Sequence, residues 1–327
     1  MNKNRLLLLA VALIVIGTAA FFTACTQNED GASGGMWRGM MRGMRGMMTR
    51  GMSEMMDDMS LMKGWTGGTT IPLDLKTKKP PEDARSINAG KAIYEAKCAL
   101  CHGLKGDGMG DRADELQTKP RDFTSGLYKF RSTLDPAPTN LDIFKTISRG
   151  LHGTAMLPWL GLTTTEKWQV AYYIKTFSDL FEAEQPKALK VPSPAMSTPQ
   201  SVKLGKEIYR KAKCYECHGL EGRGDGEKAD KLKDDKMRPI KPRNFRDDFL
   251  KRGNDIKEIY YTVATGLNGT PMISYYKILK ENEILAVSYY VQSMARKPSN
   301  GGMMMGMMGS TKPDVRAGMM IDLPMMP

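Results

Sequence analysis

The chain has 327 residues, of which 41% are hydrophobic and 26% are charged. These values are those of a folded soluble protein, and the length allows two ordinary domains with additional segments. The formal net charge of +12 favours an acidic partner or an anionic membrane surface, because a positive field raises encounter rates with both. No recognisable nucleic-acid-binding motif accompanies this charge, so we do not expect nucleic acid as a partner.

The N-terminus predicts export. Lys3 and Arg5 precede an uncharged run from Leu6 to Phe22, which is typical of a signal peptide. An uncleaved anchor is the alternative, because the run approaches membrane-spanning length. The residues before Cys25 resemble a bacterial lipoprotein box, so we predict a signal peptide at residues 1–24 and lipidation of Cys25. The protein is then expected outside the cytoplasm, anchored by lipid on the periplasmic face, with a slight preference for the outer membrane because no aspartate follows Cys25.

Methionine-rich, low-complexity sequence flanks the central part of the chain. Residues 25–85 contain repeated Arg-Gly-Met triplets, and residues 299–327 form a second methionine-rich segment. Glycine-rich sequence of this kind loses much entropy when it is ordered, so we predict a flexible tether and a tail. Thioethers select Cu(I), which makes copper binding by these segments an alternative. A helix that docks on a partner is a third interpretation, because five methionines share one helical face: Met52, Met55, Met56, Met59 and Met62.

Between these segments the sequence repeats itself. Matching motifs occur in the same order in residues 86–183 and 201–298, and the proline-rich residues 184–200 separate them. An internal repeat of this kind predicts two copies of one domain joined by a linker.

Each copy contains one Cys-x-x-Cys-His motif, the attachment signature of c-type haem. The cysteines are Cys98 and Cys101 in the first copy and Cys214 and Cys217 in the second; the histidines are His102 and His218. The two thiols form thioethers with the porphyrin, and the histidine becomes the proximal iron ligand. A zinc site needs more ligands than either copy supplies nearby, and a redox dithiol is the other alternative. The sequence therefore predicts two covalent haem c groups.

The remaining pattern is helical with glycine-rich loops. Ser86 and Ser201 are expected to cap the first helix of each copy. Middle helices are predicted at residues 142–149 and 255–265. The last helix of the first copy opens with Thr163 and Glu166, which form a capping box.

A recurring Gly-x-x-Gly-Thr-x-Met motif supplies a candidate sixth ligand in each copy. It places Met156 and Met272 in loops, where a methionine has little reason to recur as core filling. A thioether opposite the imidazole raises the reduction potential of the iron. His152 is the rival ligand in the first copy, but its counterpart is Asn268, so the symmetric assignment to methionine is simpler. We expect His152 to be a polar loop residue near the haem edge.

These motifs resemble class I cytochrome c domains. The resemblance rests on Gly-x-x-x-Tyr before the haem motif, the glycine-rich loop after it, Gly-Thr-x-Met, and an aromatic closing helix, in both copies. It implies an all-α fold in which the first and last helices cross, with Gly90 and Gly205 allowing their close approach. The tandem arrangement is similar to dihaem cytochrome c subunits of bacterial respiratory oxidases.

Two irons with both axial positions filled leave no open site for a substrate. We therefore predict a relay of electrons between membrane-associated partners of a bacterial respiratory chain, with acidic or membrane-bound redox proteins on either side. The alternative is a dihaem oxidoreductase, peroxidase-like or sulfur-oxidising, with one displaceable axial ligand.

Overall fold

The computed structural model describes residues 56–182, 186–192 and 197–299. The predicted signal peptide, Cys25, residues 26–55 of the predicted tether and residues 300–327 of the predicted tail lie outside these residues. The described residues from Asp58 onward belong to one compact unit.

The described chain is helical, which confirms the predicted all-α class. Residues 56–66 form helix α1. The first copy contains α2 (Ala84–Lys97), α3 (Ala99–His102), α4 (Asn140–Arg149) and α5 (Thr164–Lys175). The second contains α6 (Pro199–Lys211), α7 (Tyr215–His218), α8 (Ile256–Thr265) and α9 (Glu281–Met294). Short 3-10 turns lie at Ala113–Glu115, Asp179–Phe181 and Ala229–Lys231.

Within the described ranges no strand forms, and Lys233 and Pro239 make an isolated antiparallel bridge. None of the helices there is both long and apolar enough to cross a membrane.

The first helices of the two copies begin earlier than predicted. Asp83 caps α2 by accepting a hydrogen bond from the Ser86 backbone N–H at 2.8 Å. Thr198 caps α6 and accepts from the Ser201 N–H at 3.1 Å. The prediction that the two serines are the caps was therefore wrong, because each lies inside the first turn and donates its N–H to a side chain three residues before it. The capping box of Thr163 and Glu166 at the start of α5 is confirmed.

The first and last helices of each copy cross at a glycine. A Cβ atom on Gly90 would lie 2.0 Å from the Gln169 carbonyl oxygen of α5, and one on Gly205 would lie 2.1 Å from the Ala286 oxygen of α9. No side chain fits at such a distance, so the expectation of close approach at these glycines is confirmed.

The packed structure extends further towards the N-terminus than residue 86. Trp65 and Ile71 are buried, with 3% and 6% of their surface exposed. The Trp65 indole N–H donates to the Arg149 carbonyl oxygen at 2.7 Å, and the Arg149 Nε donates to the Ile71 oxygen at 3.1 Å. The C-terminal part of the predicted 25–85 tether is thus bound to the first copy.

A buried ion-pair cluster joins the two copies through α4 and α8. Glu258 of α8 is 5% exposed and accepts from the Lys145 ammonium of α4 at 2.8 Å. The Arg252 guanidinium lies 2.8 Å from the same carboxylate and also donates to the Thr146 hydroxyl of α4. The two copies therefore meet at an interface that is fixed by charge-assisted hydrogen bonds.

Candidate functional site

Each Cys-x-x-Cys-His motif forms one helical turn. The backbone N–H of His102 donates to the Cys98 carbonyl oxygen at 2.9 Å. The backbone N–H of His218 donates to the Cys214 carbonyl oxygen at 3.0 Å. All four motif cysteines are partly exposed, and no disulfide joins any of them. The turn therefore presents both thiols and the histidine of a copy to one side, as covalent attachment of a haem requires.

The two histidines are held in the same way. The Nδ1 atom of His102 lies 3.2 Å from the Arg121 carbonyl oxygen, and that of His218 lies 3.3 Å from the Arg243 oxygen. Because a carbonyl oxygen only accepts, Nδ1 carries the proton, and the Nε2 lone pair stays available for a metal. Burial lowers the pKa of His102 to about 4 and also lowers that of His218. Both rings are therefore neutral at physiological pH, which is the form that binds iron.

An aromatic ring orients each imidazole. Phe123 stacks on His102 with ring centroids 4.5 Å apart, and Phe245 stacks on His218 at 4.7 Å. Both phenylalanines belong to the repeated sequence that supplies the carbonyl partners of the histidines. One loop in each copy thus fixes both the tautomer and the plane of the proximal ring.

The repeated tyrosine of the first helix anchors the other side of the motif. The Tyr94 hydroxyl donates to the Gly103 carbonyl oxygen at 2.8 Å, and Tyr209 does the same to Gly219 at 2.7 Å. Both hydroxyl groups are buried. The tyrosine therefore ties α2 or α6 to the residue that follows the histidine, which explains its recurrence.

The Gly-x-x-Gly-Thr-x-Met motifs fold into matching closed loops. In the first copy the Leu151 N–H donates to the Met156 carbonyl oxygen at 2.8 Å, and the Met156 N–H donates to the Thr154 hydroxyl at 3.1 Å. A Cβ atom on Gly150, which has a φ of +63°, would lie 2.6 Å from that Met156 oxygen. The glycine is thus required for the loop to close on the methionine.

The second copy repeats this loop. The Leu267 N–H donates to the Met272 oxygen at 2.9 Å, and the Met272 N–H donates to the Thr270 hydroxyl at 3.2 Å. The two methionines are thus presented by loops with the same hydrogen bonds.

The candidate ligands of the second copy come together at one cavity. Cys214, Cys217, His218 and Met272 all line a cavity of about 1300 Å³. In the first copy, Cys98 and Met156 pack against the same apolar cluster, which includes Phe123. The structure therefore brings the predicted attachment and ligand residues of the second copy to one space large enough for a cofactor.

The thiols do not have the character of a redox dithiol. Burial raises the pKa of Cys98 to about 12 and that of Cys214 to about 11. A reactive dithiol has a lowered thiol pKa instead. No cluster of three or more His, Cys, Asp or Glu suited to a metal ion occurs in the part of the chain that the structure describes. Both observations favour thioether attachment over the dithiol and zinc alternatives.

His152 lies at the boundary between the copies. It is 4% exposed, its ring stacks on Trp65, and the Phe249 ring lies 5.9 Å away. Burial lowers the pKa of His152 to about 4, and the charge of Arg243 acts in the same direction. Because neighbouring aromatic rings hold the imidazole, these contacts favour Met156 over His152 as a ligand.

Sequence reasoning missed a set of cations that also line this cavity. They occupy corresponding positions in the two copies: Arg121 and Lys129 in the first, Arg243 and Lys251 in the second. The missed signal was the recurrence of Lys129 and Lys251, each a few residues after the phenylalanine that stacks on the histidine. Cations suit the two carboxylates of haem, so the residues present fit that group.

Comparisons with known proteins agree with this site. A family model described as cytochrome C oxidase, cbb3-type, subunit III, matches residues 85–174, and one described as cytochrome c matches residues 202–295. No curated protein matches the sequence.

Among solved structures, the chain is similar to one from the "Kuenenia stuttgartiensis reducing HAO-like protein complex Kustc0457/Kustc0458". The two are 40% identical with a TM-score of 0.63, over 67% of this chain and 100% of that chain. Cytochrome c domains imply covalently bound haem c. The chain belongs to the cytochrome c family and carries two class I cytochrome c domains in tandem, the arrangement of a dihaem cytochrome.

Proposed function

We propose that this protein relays electrons between redox partners through two haem c groups with histidine and methionine ligands. In this proposal Cys98 and Cys101 attach the first haem, and Cys214 and Cys217 the second. The axial pairs are His102 with Met156 and His218 with Met272. The observation that carries the proposal is the pair of identical hydrogen-bonded loops, which present a methionine in each copy.

The residues of the chain set the properties of each haem, which supplies the one-electron chemistry when bound. The Arg121 and Arg243 carbonyl oxygens hold the imidazoles as neutral ligands. The closed loops hold the thioethers, which favour the reduced iron and raise its potential. If these side chains hold both irons, no position would be left for a substrate, and the protein would transfer electrons only.

Redox proteins are the proposed partners. The related chain comes from a reducing HAO-like protein complex, which supports a role as an electron-transfer subunit of a larger assembly. The net charge of +12 favours acidic partners or an anionic membrane. We assign the protein to the periplasmic face of a bacterial membrane, in a respiratory chain, with Cys25 as its lipid anchor.

Haem content and ligation test the central proposal. Intact-mass measurement of the purified protein should show two covalent haems. The oxidised protein should show the far-red charge-transfer band of methionine-ligated iron, and Met156→Ala and Met272→Ala should each remove about half of it. A band that survives both substitutions would contradict methionine ligation.

The anchor needs a separate measurement. Metabolic labelling with a radioactive fatty acid should mark the wild-type protein, and Cys25→Ser should lose both the label and the membrane association. Labelling that persists in Cys25→Ser would exclude lipidation at this residue.

An oxidoreductase with one displaceable ligand is the second candidate, because the related chain belongs to a reducing complex. The two candidates differ in their response to carbon monoxide. A relay with two closed irons binds it slowly and incompletely, whereas an enzyme of this kind binds it rapidly at one haem per protein.

The methionine-rich segments provide a candidate Cu(I) site, independent of the haems. Thioether ligands select Cu(I), and these segments hold most of the 27 methionines. Replacing the methionines of residues 303–326 by leucine should lower the Cu(I) stoichiometry of the purified protein. An unchanged stoichiometry would exclude this tail as a site.

A further inference from the structure

The cavity of the second copy is lined by cations from both copies. Arg121 and Lys129 come from the first copy, and Arg243 and Lys251 from the second. The same cavity contains His218, the proposed iron ligand of the second domain. Residues of the first domain thus line the same cavity as the proposed ligands of the second haem.

Direct contacts hold the two copies together beside this cavity. The backbone N–H of His152 in the first copy donates to the Lys251 carbonyl oxygen in the second at 3.0 Å. The Lys236 ammonium of the second copy donates to the Asp122 carboxylate of the first, also at 3.0 Å. The cation cluster therefore belongs to a docked interface.

Three of the four cations have no ion pair within the described ranges: Arg121, Lys129 and Lys251. Arg243 has the Asp248 carboxylate at 3.5 Å and donates to the Phe249 carbonyl oxygen. Positive charge that is partly removed from water without a partner is costly. The charge of Asp235 acts on Arg121 and Lys129, and that of Asp248 acts on Lys251, but neither carboxylate lies within ion-pair distance of these cations. The cluster can therefore accept a further anion.

The electrostatics agree with this geometry. Burial lowers the pKa of Lys251 to about 7; Arg243 and Lys129 act in the same direction, and Asp248 opposes them. Burial also lowers the pKa of Lys129, together with the charges of Arg121 and Arg238, and Asp234 and Asp235 oppose them. A carboxylate placed among these groups would relieve their mutual repulsion and stabilise the charged lysines.

The position of the cluster identifies the anion. A free anion would have to share the cavity with whatever binds Cys214, Cys217 and His218. A haem attached there carries two carboxylates of its own, so one bound group accounts for both the thiols and the cations. This step rests on the proposed haem attachment in the second domain.

We propose that Lys129 and Lys251, with Arg121 and Arg243, form one anion-binding cluster across the domain interface that holds the carboxylates of the second haem. The first domain thereby supplies part of the binding site of the second haem. A cation close to the haem favours the reduced iron, because reduction removes one positive charge. Lys129 therefore raises the potential of a haem that is attached to the other domain.

Spectroelectrochemical titration of the intact dihaem protein tests this inference. Lys129→Met should lower the reduction equilibrium constant of the second haem about tenfold, which is 59 mV for one electron. Lys129→Arg keeps a cation and should restore the wild-type value. Lys91→Met is the matched control, because it removes an exposed lysine outside this cavity that is paired with Glu95.

The second haem is identified by Met272→His, which should move the potential and spectrum of that haem alone. The inference is overturned if Lys129→Met changes both potentials no more than Lys91→Met does, or if it changes the first haem only. A wild-type protein with fewer than two haems would instead contradict the proposed function. Lys251→Met, from the second domain, provides the independent variant and should lower the same potential.

Discussion

The indole ring of Trp65 stacks on the imidazole of His152, with ring centroids 4.8 Å apart and an angle of 22° between the planes. Trp65 lies before both matched cytochrome c regions, whereas His152 belongs to the loop that presents Met156. The indole N–H also donates to Arg149, the residue before that loop. A segment outside the family match thus supports one axial-ligand loop.

Replacing Trp65 should weaken the first domain selectively. Trp65→Leu removes the stacking and the hydrogen bond, and we expect a loss of about 2–4 kcal/mol in the free energy of unfolding. Trp65→Phe keeps a ring against His152 and should lose about 1–2 kcal/mol through the missing hydrogen bond. Both losses can be measured by urea unfolding, with the far-red absorption band as the signal. Equal losses in the two variants would show that stacking contributes nothing.

The helix crossing at Gly90 should not tolerate a methyl group. Gly90→Ala would place a Cβ atom 2.0 Å from the Gln169 oxygen, so α2 and α5 must separate. We expect a loss of about 1–3 kcal/mol. Gly161→Ala is the matched control, because no atom lies within 4 Å of its added Cβ. Thermal unfolding of both variants measures the effect. Equal unfolding midpoints for Gly90→Ala and Gly161→Ala would show that the helix crossing does accept a methyl group.

The Glu258 cluster should make the domain interface sensitive to acid. Burial alone would raise the pKa of Glu258, but Arg252 and Lys145 outweigh it and lower the pKa. A lowered carboxyl pKa stabilises the fold above the unfolded value, about 4.3 for Glu, and this contribution disappears as pH falls through the folded value. We therefore expect stability to fall below about pH 4.3.

Glu258→Gln should abolish this part of the pH dependence. The variant should also lose about 3–5 kcal/mol at neutral pH, because buried cations remain without their partner. Glu221→Gln, which removes an exposed ion pair with Arg223, should change stability by less than about 1 kcal/mol. If Glu258→Gln and the wild type lost stability at the same acidic pH, Glu258 would not be the cause of the acid sensitivity.

The Thr154 hydroxyl should strengthen methionine ligation in the first domain. It accepts from the Met156 N–H and donates to the Leu151 carbonyl oxygen at 2.8 Å. Thr154→Val removes both bonds, worth about 1 kcal/mol each, and should let added imidazole displace the methionine at roughly thirtyfold lower concentration. Thr66→Val, at an exposed hydroxyl in α1, should leave the titration unchanged. If Thr154→Val required the same imidazole concentration as the wild type, the Thr154 hydrogen bonds would not strengthen methionine ligation.

Features that depend on short, repeated sequence could be predicted. The haem motif, the loops of Met156 and Met272, and the crossing at Gly90 each need only a few neighbouring residues or a recurring glycine. The contacts of Trp65 could not be predicted, because its partner Arg149 lies 84 residues away and no periodicity connects them. Lys129 was missed for another reason: lysine is usually exposed, and only the fold shows that this one lines a cavity of the other copy.

The hydrogen bond from the Ser299 N–H to the Gly67 carbonyl oxygen, 2.9 Å long, joins positions 232 residues apart. Gly67 directly follows α1, and Ser299 lies five residues after the end of α9. The bond therefore ties the two ends of the described domain pair to each other. Separation of the two domains would have to break this bond as well as the ion pairs of Glu258.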